Sequence, residues 1–275
     1  EITEDGNNAT YVLDNPNTAL TESFRLLKSN LDFFGLDKPS KTILITSPSQ
    51  GNGKTTIAVN LALAMSQGDQ KTVLVDADLR RPAVHKALNM AVKPGLAEII
   101  RGDRPPQSTV RIWRKNKLEV ITAGGRLPNV TEVAGSKRIG SILNDLKEVF
   151  EVVVVDAPPL VISDAYNLAS KVDGVILILV PGQTREEQAK AMKDQLERAG
   201  AKVIGVVFNK ISLANANSEG DYQYLSMYSP NYYSDYVSGS KDEKDSDTGQ
   251  SKKLLAFFEH GELPPGVTAS VEKAV

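Results

Sequence analysis

Six short apolar runs are spread along the chain, and most of them are apolar at every position rather than at every second one. Unbroken runs rich in Val and Ile are typical of parallel strands that are covered on both faces of a sheet. The runs are KTILITS, TVLVDAD, LEVITAG, EVVVVDAPP, GVILILV and KVIGVVFN, which begin at residues 41, 72, 118, 151, 174 and 202. They predict six strands of a mostly parallel sheet.

Between these runs, apolar residues recur at helical spacing. Residues 17–34 predict a leading amphipathic helix, and residues 54–65 predict a helix packed on the sheet. Near residue 190, Thr184 and Glu187 are spaced to form a capping box, and Gly200 is placed to end that helix. The apolar stripe of the leading helix consists of Leu20, Phe24, Leu27, Leu31 and Phe34.

Strands that alternate with helices predict right-handed βαβ units, and therefore an α/β fold whose mostly parallel, twisted sheet carries helices on both faces. The alternation stops near residue 212, after which the sequence becomes polar. We predict an N-terminal segment (1–16), one α/β domain (17–212), a tyrosine-rich tail (213–238) and a flexible extension (239–275).

The amino-acid composition excludes several classes of function. The 275 residues include 32 Lys and Arg against 34 Asp and Glu, and a net charge of -2 gives no overall attraction to nucleic acid. No cysteine is present, which excludes disulfides, thiolate metal sites and iron-sulfur clusters. The apolar runs are interrupted well before the ~20 residues of a membrane span. Because the chain begins at Glu1 without a signal peptide, we expect a soluble piece of a longer protein.

A phosphate-binding loop is predicted where the first strand becomes a helix, in SPSQGNGKTT at residues 47–56. Gly51 and Gly53 allow close approach of the backbone to an anion, Lys54 can reach the β- and γ-phosphates, and Thr55 offers a hydroxyl to Mg²⁺. Pro48 replaces the first glycine of the usual pattern, so the match rests on the Gly-Lys-Thr core. A glycine-rich turn can also be merely structural, but this one predicts ATP and Mg²⁺ as cofactors.

Three acidic residues follow two of the predicted strands: Asp76 and Asp78 after one, and Asp156 after another. Each alone is more often a helix cap or a solvated turn. Because the carboxyl ends of parallel strands meet at the ligand crevice, three of them downstream of a Gly-Lys-Thr loop favour a metal and catalytic site. Mg²⁺ needs few protein oxygens, which leaves a carboxylate to act as a base.

Six of the eight tyrosines lie in the stretch DYQYLSMYSPNYYSDY, residues 221–236. The spacers between them are mostly polar, so the tyrosines are expected to be displayed rather than packed in a core. Taken alone, such a cluster is more often a binding surface than a substrate. The six are Tyr222, Tyr224, Tyr228, Tyr232, Tyr233 and Tyr236.

In this order, the motifs resemble those of the bacterial tyrosine kinases that form the cytoplasmic part of polysaccharide co-polymerases. The resemblance spans roughly residues 18–236. It rests on an altered Walker A loop with Gly53, Lys54 and Thr55, a D-x-D-x-R motif at Asp76, Asp78 and Arg80, a Walker B Asp156, and the tyrosine cluster. A helix motif of the family, E-x-x-R-x-x-R, corresponds to Glu22, Arg25 and Lys28.

The resemblance implies a P-loop NTPase fold like that of Min and Par proteins, a three-layer sandwich. It implies an ATP-dependent tyrosine autokinase that phosphorylates its own cluster in trans within a homo-oligomeric ring, for which an octamer is a candidate size. It further implies a membrane adaptor or activator segment not present in this chain, a cognate phosphotyrosine phosphatase, and a cytoplasmic place at the inner face of the plasma membrane. The process implied is capsule or exopolysaccharide synthesis and export, with no nucleic-acid partner.

Site roles follow from chemistry and from the resemblance together. A tyrosine hydroxyl, with a pKa of about 10, needs a carboxylate to accept its proton, and Asp76 is the candidate base. Lys54 is predicted to contact the phosphates, while Thr55 and Asp156 hold Mg²⁺ and Asp78 orients the metal shell through water. The predicted nucleotide-binding residues are Gly51, Asn52, Gly53, Lys54, Thr55, Thr56, Arg80 and Asn209. The ring interface is predicted to use Glu22, Arg25 and Lys28.

Some positions depart from the family pattern or have other interpretations. Lys28 replaces an Arg and cannot reproduce its bidentate contact, and Gln50 and Asn52 stand where Pro and Glu are common. Asn209 is predicted to contact adenine, although an Asn that ends a strand is otherwise a turn former. Arg80 and its neighbour Arg81 could meet phosphates or another subunit, or form a plain surface pair.

Two other functions stay open at this point. A Min- or Par-type ATPase switch would generally carry a second, early lysine in the loop, and residues 47–53 contain none. That class gains some support from KKLLAFFEHG, residues 252–261, a candidate membrane-targeting helix. A non-enzymatic nucleotide-binding assembly subunit would use the tyrosines as a docking surface. The nitrogenase iron protein, a relative of these classes, is excluded by the absence of cysteine.

Overall fold

The structure is a computed structural model that describes residues 8–34, 41–67, 70–113 and 118–210. The predicted tyrosine-rich tail, with its six candidate phosphoacceptors, lies outside the described residues. So do the predicted extension 239–275 and, within it, the segment 252–261.

Within the described residues, seven strands form one sheet in the order β3-β4-β2-β5-β1-β6-β7. All neighbouring strands are parallel except β3, which runs antiparallel to β4 at one edge. The strands are β1 (Thr42–Thr46), β2 (Thr72–Asp76), β3 (Arg111–Trp113), β4 (Leu118–Ile121), β5 (Val152–Asp156), β6 (Gly174–Leu179) and β7 (Val203–Phe208). The mostly parallel sheet and the six strands predicted from the apolar runs are confirmed.

Helices connect the strands and cover both faces of the sheet. They are α1 (Tyr11–Asp14), α2 (Ala19–Phe34), α3 (Lys54–Ser66), α4 (Val84–Ala87), α5 (Leu96–Arg101), α6 (Val130–Gly135), α7 (Lys137–Val149), α8 (Ser163–Ala169) and α9 (Glu186–Arg198). Short 3-10 turns occupy Asn8–Thr10 and Pro106–Ser108. None of the helices described here combines the length and apolar character required to cross a bilayer.

Two hydrophobic cores lie on opposite faces of the sheet. Because neighbouring side chains of a strand point to opposite sides, β1 places Leu44 in one core and both Ile43 and Ile45 in the other. The first core contains Ile99 of α5, Leu146 of α7, Leu168 of α8 and Leu196 of α9; the second contains Val12 of α1, Phe24 of α2, Leu61 of α3 and Val84 of α4. This is the predicted three-layer sandwich, and it explains why the central strands are apolar throughout.

Strand β3 was not predicted, because its three residues are too short to form a recognisable run. Its Trp113 is buried and donates its Nε1–H to the carbonyl of Leu88 at 2.8 Å. The edge strand therefore holds Leu88, the residue after α4. Helix α4 itself follows the loop that begins after Asp76.

Residues 8–16, predicted as a segment outside the domain, pack against α3. Val12 is fully buried, and its N–H donates to the side-chain oxygen of Asn60 at 2.9 Å. The Asn60 amide also donates to the carbonyls of Ala9 and Thr56. Asn60 thus links the chain start to the first turns of α3, the helix that follows the phosphate loop.

The predicted capping box at Thr184 and Glu187 is wrong by one residue. Helix α9 begins at Glu186, and the N–H of Arg185 donates to Oε1 of Gln188 at 3.2 Å. The pattern from Thr184 matches the capping-box rule, whereas the pattern from Arg185 lacks a Ser or Thr at its first position, and the turn after β6 selects the second pair. Gly200 follows the helix with φ +82°, as its predicted role as a stop requires.

Candidate active site

The phosphate loop joins β1 to α3, and α3 begins at Lys54. Gly51 and Gly53 both have positive φ, +85° and +92°. A Cβ at Gly53 would lie 2.2 Å from Nδ2 of Asn209, so a substitution here would strain the backbone and also displace the Asn209 side chain. The predicted strand-to-helix setting of the loop is therefore present.

Two later loops hold the phosphate loop in place. Asn209, which follows β7, donates its side-chain amide to the carbonyl of Asn52 at 2.9 Å. The buried Asn52 side chain accepts the N–H of Ser49 at 2.9 Å and donates to Oε1 of Gln183 at 3.2 Å. Asn209, predicted to contact adenine, thus contacts the loop backbone. Gln183 was not predicted; the only signal in the sequence was its position shortly after β6.

Thr55 and Asp156 meet as predicted from their motifs. The Thr55 hydroxyl donates to Oδ2 of Asp156 at 2.6 Å, and Lys54 beside it is buried. Burial, together with the charge of Asp78, raises the pKa of Asp156 to about 7, against the lowering effects of the Thr55 hydrogen bond and the Lys54 charge. The second oxygen, Oδ1, is buried without a hydrogen-bond partner among the described residues.

That orphaned oxygen is what a hard cation would satisfy, so Thr55 and Asp156 fit the Mg²⁺ predicted here. In the described part of the chain, no group of three or more His, Cys, Asp or Glu residues is arranged to hold a metal ion. Mg²⁺ ordinarily completes its shell with phosphate oxygens and water.

Asp76 ends β2 directly beside Asp156, its register partner on β5. Asp76 is fully buried, and its Oδ2 accepts the N–H groups of Ala83 and Val84 at 3.2 and 3.1 Å. Burial, followed by the charges of Asp156 and Asp78, raises the pKa of Asp76 well above its usual value, although these two hydrogen bonds oppose the shift. Two backbone donors therefore fix the orientation of this carboxylate, and its affinity for a proton is raised.

Asp78 is also buried, and it shapes the loop between β2 and α4. Its N–H points to Oδ1 of Asp76 at 3.3 Å, and its own Oδ1 accepts the N–H of Arg81 at 2.9 Å. The structure therefore brings together the three predicted carboxylates, Lys54 and Thr55 at the carboxyl ends of neighbouring strands.

Arg80, predicted to bind nucleotide, is engaged elsewhere among the described residues. Its Nε donates to Oδ2 of Asp164 on α8 at 2.6 Å, and its Nη2 donates to the Thr131 hydroxyl on α6 at 2.6 Å. These contacts connect the loop after β2 to the helices on one face of the sheet. Asp164 is almost completely buried, whereas the Arg80 side chain is 43% exposed, so the pair joins a buried acid to an arginine at the surface.

The residues predicted to form a ring interface lie on α2. Glu22 and Arg25 form an i,i+3 ion pair at 3.0 Å, and Arg25 also donates to the Pro16 carbonyl. Lys28 follows one turn later and is half-buried. Because Phe24 of the same helix is buried against the second core, the ion pair lies on the outward side of α2.

Comparisons with known proteins agree with this architecture. The model of the CobQ/CobB/MinD/ParA nucleotide binding domain family matches residues 43–223, more than half of the chain. The tyrosine-protein kinase YwqD of Bacillus subtilis (strain 168) is 32% identical over 208 residues, which are 75% of this chain and 88% of YwqD. The tyrosine-protein kinase CpsD of Streptococcus agalactiae is 29% identical over 203 residues, 73% of this chain and 87% of CpsD.

A solved structure gives the same result in three dimensions. The kinase domain of the Escherichia coli tyrosine kinase ETK superposes with a TM-score of 0.70 at 28% identity, and the match covers 76% of this chain and 84% of that domain. The phosphate loop, the paired strand-end carboxylates and these likenesses together place the chain: it belongs to the bacterial tyrosine-protein kinase family, within the CobQ/CobB/MinD/ParA nucleotide-binding domains.

Proposed function

We propose that the chain is an ATP-dependent protein-tyrosine kinase that phosphorylates the tyrosine cluster of a second copy of itself. The observation that carries this proposal is the pairing of Asp76 with Asp156 across β2 and β5, next to Lys54 and Thr55 of the phosphate loop. Phosphoryl transfer depends mainly on positioning and charge stabilisation, and this group supplies both.

Asp76 is the proposed general base. The N–H groups of Ala83 and Val84 orient one of its oxygens, and the raised pKa strengthens its affinity for a proton. The tyrosine oxygen bonds to the γ-phosphorus of ATP while the bond from that phosphorus to the bridging oxygen breaks, so that ADP is the leaving group. The hydroxyl proton of the tyrosine passes to the Asp76 carboxylate.

Lys54 and the amides of the phosphate loop are proposed to bind and orient the phosphates of ATP. Thr55 and Asp156 would hold Mg²⁺, with Asp78 acting on its shell through water. When bound, Mg²⁺ neutralises charge on the phosphate oxygens. The contacts of Asn52 with Gln183 and Asn209 keep the loop in one shape before nucleotide arrives.

A wider role, supported by family membership, is part of the proposal. The kinase would act in a homo-oligomeric ring through Glu22, Arg25 and Lys28, activated by a membrane adaptor at the cytoplasmic face of the plasma membrane. A phosphotyrosine phosphatase would reverse the modification, and the cycle would regulate capsule or exopolysaccharide synthesis and export.

Mass spectrometry of the chain incubated with MgATP tests the activity. We expect phosphotyrosine in the cluster of the unchanged protein and none in Lys54→Met, which removes a phosphate contact. Asp76→Asn, which cannot accept the proton, should lose roughly 100-fold or more in rate, the scale of general-base catalysis.

Two results would contradict the proposal. Phosphotyrosine in Lys54→Met would mean that another active site is responsible. Stoichiometric ATP binding by the unchanged protein without phosphotyrosine would select the non-enzymatic assembly subunit instead.

A further inference from the structure

The loop after β2 carries two neighbouring arginines with different partners. Arg80 is paired with Asp164. Arg81 is exposed and donates to the side-chain oxygen of Gln50 in the phosphate loop, and among the described residues it takes part in no ion pair. The charge of Arg81 is therefore available to a bound partner.

Sheet order locates this charge at the proposed site. Strand β5 lies between β2 and β1, so the contact from Arg81, after β2, to Gln50, after β1, spans the carboxyl end of β5. Strand β5 ends at Asp156. The Arg81 guanidinium thus lies at the rim of the site, above a buried group of three carboxylates.

Those carboxylates that are ionised would repel an acidic segment that approaches the site, because like charges a few ångströms apart raise the free energy of the complex. An exposed guanidinium at the rim attracts a carboxylate that stays outside the site, since Arg binds carboxylates in a bidentate manner. The surface therefore suits a peptide whose reacting side chain enters the site while a neighbouring acid remains at the rim.

The tyrosine cluster contains two positions of this kind. Asp221 directly precedes Tyr222, and Asp235 directly precedes Tyr236. The nearest acids to Tyr228 are the same two aspartates, each seven positions away (228 - 221 and 235 - 228). Consecutive Cα atoms of a chain lie about 3.8 Å apart, so when a tyrosine enters the site the directly preceding Asp stays beside it, at the rim.

We infer that Arg81 is the docking contact for an acidic residue that directly precedes the acceptor tyrosine, and that Tyr222 and Tyr236 of a second copy are therefore the preferred acceptors. The inference rests on the proposed kinase activity and adds to it a rule for acceptor choice.

A two-chain assay separates donor from acceptor. The kinase chain carries phenylalanine at all six cluster tyrosines, and the acceptor chain carries Lys54→Met with its tyrosines intact. Initial phosphorylation rates are measured at each tyrosine by mass spectrometry. The kinase is compared with its Arg81→Gln variant and with Arg198→Gln, a matched change at an exposed arginine that ends α9.

With the kinase chain that keeps Arg81, and with its Arg198→Gln variant, we expect Tyr222 and Tyr236 of the acceptor chain to be phosphorylated faster than Tyr228. Arg81→Gln should slow Tyr222 and Tyr236 by roughly two- to fivefold, the size of an exposed charge pair, with a smaller change at Tyr228. Asp221→Asn in the acceptor should slow Tyr222 alone. Combining Arg81→Glu in the kinase with Asp221→Arg in the acceptor should restore Tyr222 relative to Tyr236.

Different failures have different meanings. If Arg81→Gln slows all tyrosines equally or raises the KM for MgATP, Arg81 serves the nucleotide and the inference is overturned. If the unchanged kinase modifies the six tyrosines without preference, the docking rule fails while the kinase activity stands. If no phosphotyrosine forms at all, the proposed function itself fails.

Discussion

Gly53 of the phosphate loop tolerates substitution poorly for two separate reasons. Gly53 combines φ +92° with a side-chain amide of Asn209 in the space that a Cβ would occupy. Gly182 has a similar φ, +77°, but nothing within 4 Å of its Cβ position. Comparing substitutions at the two glycines therefore distinguishes the free-energy cost of a positive φ from the cost of a clash with Asn209.

Alanine at these two positions should give different losses. Both Gly53→Ala and Gly182→Ala should lower the free energy of unfolding by about 1 to 2 kcal/mol because of the positive φ. Gly53→Ala should lose more, and should also weaken ADP binding measured by calorimetry, because Asn209 must move. Adding Asn209→Ala to Gly53→Ala should recover part of the stability, a non-additive result. Equal losses in the two single variants would show that the contact with Asn209 is unimportant.

At the scale of elements, loops at the carboxyl edge carry the site, and polar contacts at the amino edge fix the strands. Asp173, just before β6, accepts the N–H and the hydroxyl of Thr42, the first residue of β1, both at 2.8 Å. The Lys147 ammonium contacts its other oxygen at 3.2 Å. This side chain ties β1, which leads into the phosphate loop, to β6.

The contribution of Asp173 should depend on pH. Burial would raise its pKa, but the Thr42 donors and Lys147 outweigh burial and lower the pKa below 3.8. A lowered folded-state pKa stabilises the fold above 3.8, and this stabilisation is lost as the pH falls below that value. Asp173→Ala should therefore cost about 1 to 2 kcal/mol in urea unfolding at pH 7, since a third of the side chain remains exposed.

The cost should shrink when the same titration is repeated at progressively lower pH. Glu151→Ala, at an exposed position just before β5, is the control and should change little at any pH. A loss for Asp173→Ala that is independent of pH would mean that packing, and not the charged carboxylate, is responsible.

At the scale of the whole molecule, charge connects the proposed activity to assembly. The subunit is nearly neutral, with a net charge of -2. Each phosphotyrosine adds about -1.5 to -2 charges, so six would add on the order of -10. Like subunits that carry such charges repel each other, and the repulsion increases as a ring closes.

Phosphorylation should therefore reduce the oligomer mass measured by light scattering at low salt. The matched control is the chain with phenylalanine at all six cluster tyrosines, which should keep its mass after incubation with MgATP. Raising the salt concentration should weaken the effect, because exposed charges are screened. An unchanged mass at full phosphorylation would exclude electrostatic loosening of the proposed ring.

Much of this architecture is predictable from local sequence patterns. Strands that are buried on both faces must be apolar throughout, so six of the seven described strands stand out, whereas the three-residue β3 does not. The Gly-Lys-Thr core identifies the phosphate loop because backbone conformation there depends on glycine. At α9, by contrast, two overlapping capping patterns compete, and the sequence alone favours the wrong one.

The sequence by itself therefore determines the layers, the phosphate loop and the residue types at the strand ends, since these depend on short-range conformation and burial. Only the tertiary structure decides which of those residues meet. Asp76 lies beside Asp156 because β2 pairs with β5. Gln183 and Asn209 reach Asn52 because β6 and β7 continue the sheet beside β1. Strand order arises from packing between distant segments, so contacts across it cannot be derived from any local pattern.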